Sequence, residues 1–197
     1  MHPIHTLAEY HQLCQTFQLE PHKFFNFGTD VIDRWAAEDP DHPAMHWIGG
    51  SGQDRTISFG QLAMRSNQVA NALIDLGLRH GDQVLVDLPN LVEWWETMVA
   101  LLKAGIIAIP GTTLLTEKDI AFRVKAAEVD AVITDAVGAE KVNHVASDLS
   151  ELQFKILVGN QAIQGWHSYE SLVDAALTAP QEHATLSDQP ALIYFTS

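Results

Sequence analysis

The sequence predicts an α/β layered fold: a largely parallel sheet covered by helices, preceded by a small β-hairpin. Three observations carry this. From Val84 onward, short apolar runs alternate regularly with helical patterns. Those runs are mostly continuous rather than alternating, the pattern of strands covered on both faces. Ahead of them, two β-prone runs flank Gly49-Gly50-Ser51-Gly52, which reads as a hairpin.

The elements follow in order. Residues 1–23 form an N-terminal arm with a short helix over 7–17. His2, His5 and His11 lie in a loose row there, with no Cys or carboxylate spaced to close a metal site. Val31, Ile32, Trp35 and Ala36 fall at helical spacing, with Thr29 or Asp30 as the N-cap. Asp39-Pro40 and Pro43 end that helix. The hairpin strands are 45–48 and 55–58. Their glycines are not a phosphate loop, because no Lys follows and no helix opens from them. Ser58-Phe59-Gly60-Gln61 is a capping box. Behind it Leu62, Val69, Leu73 and Leu76 line one helix face, and Gly77 ends the helix.

Strands then follow at 84–88, 106–109, 131–134, 154–158 and 192–195. Between them lie helices at 91–104, 117–128, 138–147 and 169–177, with Thr116 and Ser168 as N-caps. The helix over 91–104 is apolar nearly all round, which places it between layers or under a partner. Its Trp94-Trp95 pair is read as core packing. There is no internal repeat, low-complexity tract or Pro/Gly/Ser linker.

Composition narrows the function classes. The chain is 47% hydrophobic and 18% charged, ordinary values for a soluble domain. Its net charge of −14 and lack of a Lys/Arg cluster exclude a nucleic-acid face. The same charge is repelled by an anionic membrane surface. The longest apolar region, 94–110, is interrupted by Glu96, Lys103 and Gly105, so no membrane span is expected. The single cysteine, Cys14, fits a reducing compartment. No basic stretch precedes an apolar one at the N-terminus, and Glu9 and Glu20 argue against a transit peptide. The expected location is cytoplasmic.

Catalytic constellations are few. The chain carries no G-x-S-x-G elbow, H-E-x-x-H, C-x-x-C, Walker A or G-x-G-x-x-G. His42 and His46 are four apart, but Pro43 breaks the helix that would align them. Glu93 and Glu96 read as the acidic first turn of a helix, favoured by its macrodipole. Two turns remain. Pro110-Gly111-Thr112-Thr113 leaves a strand C-terminus, where α/β sheets bind ligands, though local turn chemistry explains it as well. Tyr194-Phe195-Thr196-Ser197 is the better candidate. There a buried strand runs straight into hydroxyl residues, the start of a phosphate-binding turn whose glycines would follow. The chain therefore reads as ending inside its own functional motif.

Several ordered stretches are familiar together. They are Leu88-Pro89-Asn90-Leu91-Val92-Glu93-Trp94-Trp95, the run from Lys103-Ala104-Gly105 to Pro110-Gly111-Thr112, and Ile193-Tyr194-Phe195-Thr196-Ser197. With them the chain beyond about Phe24 resembles the N-terminal part of AMP-forming acyl-CoA synthetases, within the wider adenylate-forming family. Phe25-Asn26-Phe27 leading into Asp30-Val31-Ile32-Asp33-Arg34-Trp35 looks most like the medium-chain branch.

The resemblance implies an N-terminal arm over 1–23 and an N-terminal subdomain over 24–197, stopping at the start of the phosphate loop. It implies that Thr196 and Ser197 contact ATP phosphates. In such enzymes a carboxylic (fatty) acid attacks the ATP α-phosphate with Mg²⁺ assisting, and CoA then displaces AMP. ATP, Mg²⁺ and CoA are thus cofactors and partners of the full-length enzyme, and none is expected to bind this fragment tightly. No catalytic residue or metal ligand is carried over, because the catalytic lysine and acyl pocket would lie beyond Ser197. The fragment alone is expected to be inactive and to self-associate through uncovered apolar surface. Asn90 and Val92 depart from the Arg and Pro common in medium-chain relatives and read as peripheral. The alternative reading is a stand-alone, non-catalytic binding module on the same fold. A dinucleotide-binding domain is disfavoured, since Pro89-Asn90 rather than a glycine fingerprint follows 84–88.

Overall fold

The computed structural model describes residues 6–18, 22–50, 52–180 and 184–196. His2, His5, Glu20, Ser51 and Ser197 lie outside them. Helix α1, Leu7–Thr16, opens on a capping box: Thr6 Oγ1 accepts from the Glu9 N–H, and the Glu9 carboxylate accepts from the Thr6 N–H. None of its residues is buried.

Gly28–Asp33 winds as a π-helix and continues as α2, Arg34–Glu38. The expected Thr29 or Asp30 cap is corrected to Asn26. The Asn26 side chain accepts from the Gly28 N–H at 2.9 Å and donates to the Leu102 carbonyl at 2.7 Å. Asn26 is buried against the end of another helix, so it satisfies the first free N–H groups and the contact with that neighbour together. Strands β1, Pro43–Ile48, and β2, Asp54–Ser58, form the expected antiparallel hairpin. The predicted capping box then opens α3, Phe59–Leu76, which Gly77 closes at φ +130°.

The main sheet has strands β3 (Gln83–Asp87), β4 (Ile107–Pro110), β5 (Ala131–Thr134), β6 (Phe154–Leu157) and β7 (His167–Ser168). Their order is β4-β3-β5-β6-β7, and every pairing is parallel. Strand β7 went unpredicted: two residues are too few to show a period.

Helices α4 (Val92–Ala104), α5 (Glu117–Ala126), α6 (Ala136–His144) and α7 (Tyr169–Ala175) connect or follow the strands. Thr116 and Ser168 cap α5 and α7 as expected. Both sheet faces are covered. Val84 and Val86 of β3 pack with α3, α4 and α7, while Leu85 packs with α5 and α6. A third cluster, with Ile32, Trp47, Ile57, Leu62 and Val99, seats the hairpin on α3 and α4. Helix α4 ends at Gly105, whose φ of +65° favours glycine; a Cβ there would lie 2.3 Å from His80 Cδ2.

The expected buried strand over 192–195 is corrected. Leu192 makes one parallel bridge to Ala108, and Leu192 and Tyr194 are exposed. This segment lies beyond β4 at the sheet edge, where no further strand among the described residues covers one side.

Candidate functional site

The connectivity defines where a ligand would sit. The chain leaves β3 for β4 on one side, and β5 for β6 on the other. Neighbours β3 and β5 thus send their connections in opposite directions, and open α/β sheets bind ligands beyond the strand C-termini at such a point. The strands there end at Asp87, Pro110 and Thr134.

Two concavities occupy this end. One, of about 380 Å³, is lined by Leu88, Pro89, Asn90, Leu91, Trp94, Trp95 and Gly111 to Thr113. The Trp rings meet edge to face at 4.7 Å. Core packing is corrected for Trp95, which is exposed; Trp94 packs against the core only at its margin. Helix α4 turns these neighbouring residues to different sides, so only one can face inward. Asn90 is not peripheral to this pocket, and Val92 is buried in the third cluster.

The second concavity, of about 190 Å³, is lined by Asp87, Pro89, Thr113, Asp135, Val137, Gly138 and Lys141. Asp87 is only 3% exposed, and its Oδ1 has no hydrogen-bond partner. Burial pushes its carboxyl up to about 6; Lys141 and Arg123 oppose the shift and Asp135 adds to it. Lys141 donates from Nζ to the Thr113 and Leu115 carbonyls, 2.9 Å each, and makes no ion pair with Asp87. Asp135 caps α6, accepting from the Gly138 N–H at 2.9 Å. Gly138 is required at this turn because a Cβ would lie on Thr134 Oγ1. Sequence reasoning missed Asp87, although a carboxylate inside the run Val84-Leu85-Val86-Asp87-Leu88 was a visible signal.

The two predicted turns follow segments that touch at Ala108, and Ser197 lies outside the described residues. The Ala108 N–H donates to the Ala191 carbonyl and the Ile193 N–H to the Ala108 carbonyl, both at 3.0 Å. The pairing stops there: β4 ends at Pro110, and no further bridge among the described residues joins it to the segment after Leu192. Phe195 is held against Phe122, with Arg123 over its ring at 5.1 Å. Thr196 is exposed.

Glu96 is corrected from a first-turn charge: the first turn of α4 holds Glu93 alone. Glu96 is buried, accepts from Tyr169 OH at 3.2 Å and pairs with Arg65 at 3.4 Å, which also holds Asp174 at 2.7 Å. Burial pushes the Glu96 carboxyl up, against the pull of Arg65. Lys103 is likewise buried and bonds Asp33 at 2.5 Å and Asn67 at 2.6 Å. Burial pulls its ammonium pKa down, and Asp33 opposes this. His42 and His46 do not converge; they pair with Asp39 and Asp54 respectively. Among the described residues no group of three His, Cys, Asp or Glu could hold a metal, and no helix is long and apolar enough to cross a membrane.

Residues 32–197 match the model of the AMP-binding enzyme family. Acyl-coenzyme A synthetase ACSM3, mitochondrial, of Mus musculus is 36% identical over 96% of this chain and 34% of its own length. Acyl-coenzyme A synthetase ACSM5, mitochondrial, of Homo sapiens is 38% identical over 91% of this chain and 32% of its own length. The chain thus spans about a third of these curated relatives. Among solved structures, Brucella canis acyl-CoA synthetase superposes with a TM-score of 0.85 at 21% identity, over 95% of this chain and 36% of that one. The anthranilate CoA ligase AuaEII in complex with anthranoyl-AMP gives 0.78 at 20% identity, over 89% and 33%. At those identities the likeness shows the fold. The expected cytoplasmic location is corrected: these relatives are named mitochondrial and point to mitochondria. One exposed cysteine and an acidic surface suit any reducing compartment, so they never separated the two.

Proposed function

The chain belongs to the AMP-binding enzyme family, and on that premise we propose that it is the N-terminal part of an acyl-CoA synthetase that activates a medium-chain carboxylic acid. The whole enzyme forms acyl-AMP from the acid and ATP, then passes the acyl group to CoA. The observation that carries this reading is the identity with the acyl-coenzyme A synthetases, spread over nearly the whole chain.

Residues 24–197 form the N-terminal subdomain and 1–23 an arm. Thr196 and Ser197 open the phosphate loop. The segment that carries Thr196 runs parallel to β4 at Leu192, and Thr196 is exposed, which supports this role. Of the described residues only the Thr196 hydroxyl and its backbone are offered to ATP. No group among them fits Mg²⁺, and no step of the chemistry is assigned to this chain. When bound, Mg²⁺ supplies charge neutralisation on the phosphates. The 197 residues alone bind ATP weakly and release no acid-dependent pyrophosphate.

The chain also self-associates on this reading. An apolar cleft of about 350 Å³ exposes parts of Phe27, Trp35, Phe59 and Trp95, surface a larger enzyme would cover. Light scattering at tens of micromolar should give a mass well above the 21.7 kDa monomer.

The test of function is acyl-CoA formation from ATP, CoA and octanoate. The gene product that continues past Ser197 should form it, and the 197-residue chain should match the blank. A continued product that fails with every acid from acetate to dodecanoate would refute the assignment.

A further inference from the structure

Three charged side chains are buried among the described residues: Asp87, Glu96 and Lys103. Glu96 and Lys103 are ion-paired inside the fold. Asp87 is not, and one of its oxygens is wholly without a partner. A buried carboxylate is costly unless paired or hydrogen-bonded, so Asp87 needs a donor the chain does not supply. It lines a concavity that opens at the topological switch point. We propose that the crevice between β3 and β5 binds a small primary ammonium group, with Asp87 as its anchoring anion.

The surroundings select that ligand class. The nearest cation, Lys141, is tied to the carbonyls of Thr113 and Leu115 and forms the rim rather than a partner for Asp87. Asp135 adds a second carboxylate to the wall, with one oxygen committed to the α6 cap. An anion entering the crevice would meet two carboxylates. A bare metal ion lacks a converging set of ligands among the described residues. An ammonium needs only acceptors and tolerates loose geometry. About 190 Å³ is small against ordinary ligand pockets, so the crevice takes a head group and not a whole large molecule. The carbon attached to that head group has a place beside it, because the Trp94–Trp95 pocket shares Pro89 and Thr113 as walls. The ligand class is therefore a short alkylamine or an amine-terminated side chain. This site is independent of the acyl-CoA synthetase reading and stands or falls without it.

The probe is n-butylammonium chloride, titrated at pH 7.5 and constant ionic strength into ¹⁵N-labelled protein. The amide signals of Gly111, Thr113 and Gly138 should shift saturably at millimolar concentration. Sodium butyrate and n-butanol should leave them in place. Asp87→Asn, which keeps size and shape but removes the charge, should weaken the amine at least tenfold; its circular dichroism checks the fold. Non-saturating shifts, equal shifts with butyrate or butanol, or unchanged affinity in Asp87→Asn would overturn the proposal. Should the variant not fold, the three ligands on the wild-type chain still decide: saturation by the amine alone supports the site, and any other pattern overturns it.

Discussion

The α3–α4 packing layer and the C-terminal end of the sheet treat buried charge in opposite ways. In the layer, Lys103 reaches Asp33, Asn67 and the Ala63 carbonyl, and Glu96 reaches Arg65 and Tyr169. At the strand ends Asp87 is as deeply buried, yet its Oδ1 has no partner and Lys141 is held elsewhere. The difference separates two uses of burial. A charge answered from within the chain fixes how elements dock. A charge left unanswered beside a concavity marks a place that receives something from outside.

Removing a partner from the answered region should have the largest effect. Lys103→Ala leaves Asp33 and Asn67 facing an emptied site, and chemical denaturation should show a loss of about 3–5 kcal/mol. A loss under about 1 kcal/mol would mean that the Lys103 cluster is no better satisfied than Asp87.

The pH dependence of the unanswered charge comes next. The Asp87 carboxyl sits at about 6 in the fold, against 3.8 in its ordinary state. The folded chain therefore holds this proton more tightly than the unfolded chain. The stability it contributes is complete below about 3.8 and is lost as pH rises through about 6. The swing is on the order of 2–3 kcal/mol. Asp87→Asn should flatten that part of the stability–pH curve, and Asp87→Leu should raise stability at pH 7.5. A curve unchanged by both substitutions would show that the carboxylate is already satisfied.

Tyr169→Phe sharpens the comparison on the layer side. It removes one hydrogen bond to Glu96 while Arg65 remains, so the expected loss is about 1–2 kcal/mol. Smallest of all is Lys141→Gln. Its ammonium bonds only carbonyls near the surface, so stability should change by about 1 kcal/mol or less. The Asp87 carboxyl, having lost a favourable charge, should titrate higher than in the wild type, as ¹³C NMR of that carboxyl can follow.

Much of the architecture was legible in local signals. The Ser58, Thr116 and Ser168 caps, the hairpin around its glycines and the boundaries of Ala131–Thr134 follow from residue chemistry within a few positions. The failures share a cause. The run 192–195 is apolar enough for a core strand, but whether it is covered depends on a neighbour beyond β4. Asn26 displaced the expected cap because the end of α4 arrives beside it. Trp95 reads as core along the sequence, but the orientation of α4 turns it to solvent. Of the candidate site, the turn at Gly111 to Thr113 was placed correctly at a strand C-terminus, whereas the Asp87–Asp135–Lys141 crevice was missed.

The α/β class, the strand–helix alternation, the capped helix starts and the family motifs are all legible along the chain. Each of these depends on residues within about one or two turns of one another, where periodicity and hydrogen bonding act locally. The packed fold sets the strand order and the switch point between β3 and β5. It alone paired Glu96 with Arg65 and Lys103 with Asp33, and left Asp87 facing an open crevice. Whether a charge is answered depends on what the fold brings to it from far along the chain. Arg65 meets Asp174 only because the helix layers put them side by side, whereas Thr134, brought beside Asp87 by the sheet order, donates to its backbone carbonyl and leaves the carboxylate unanswered.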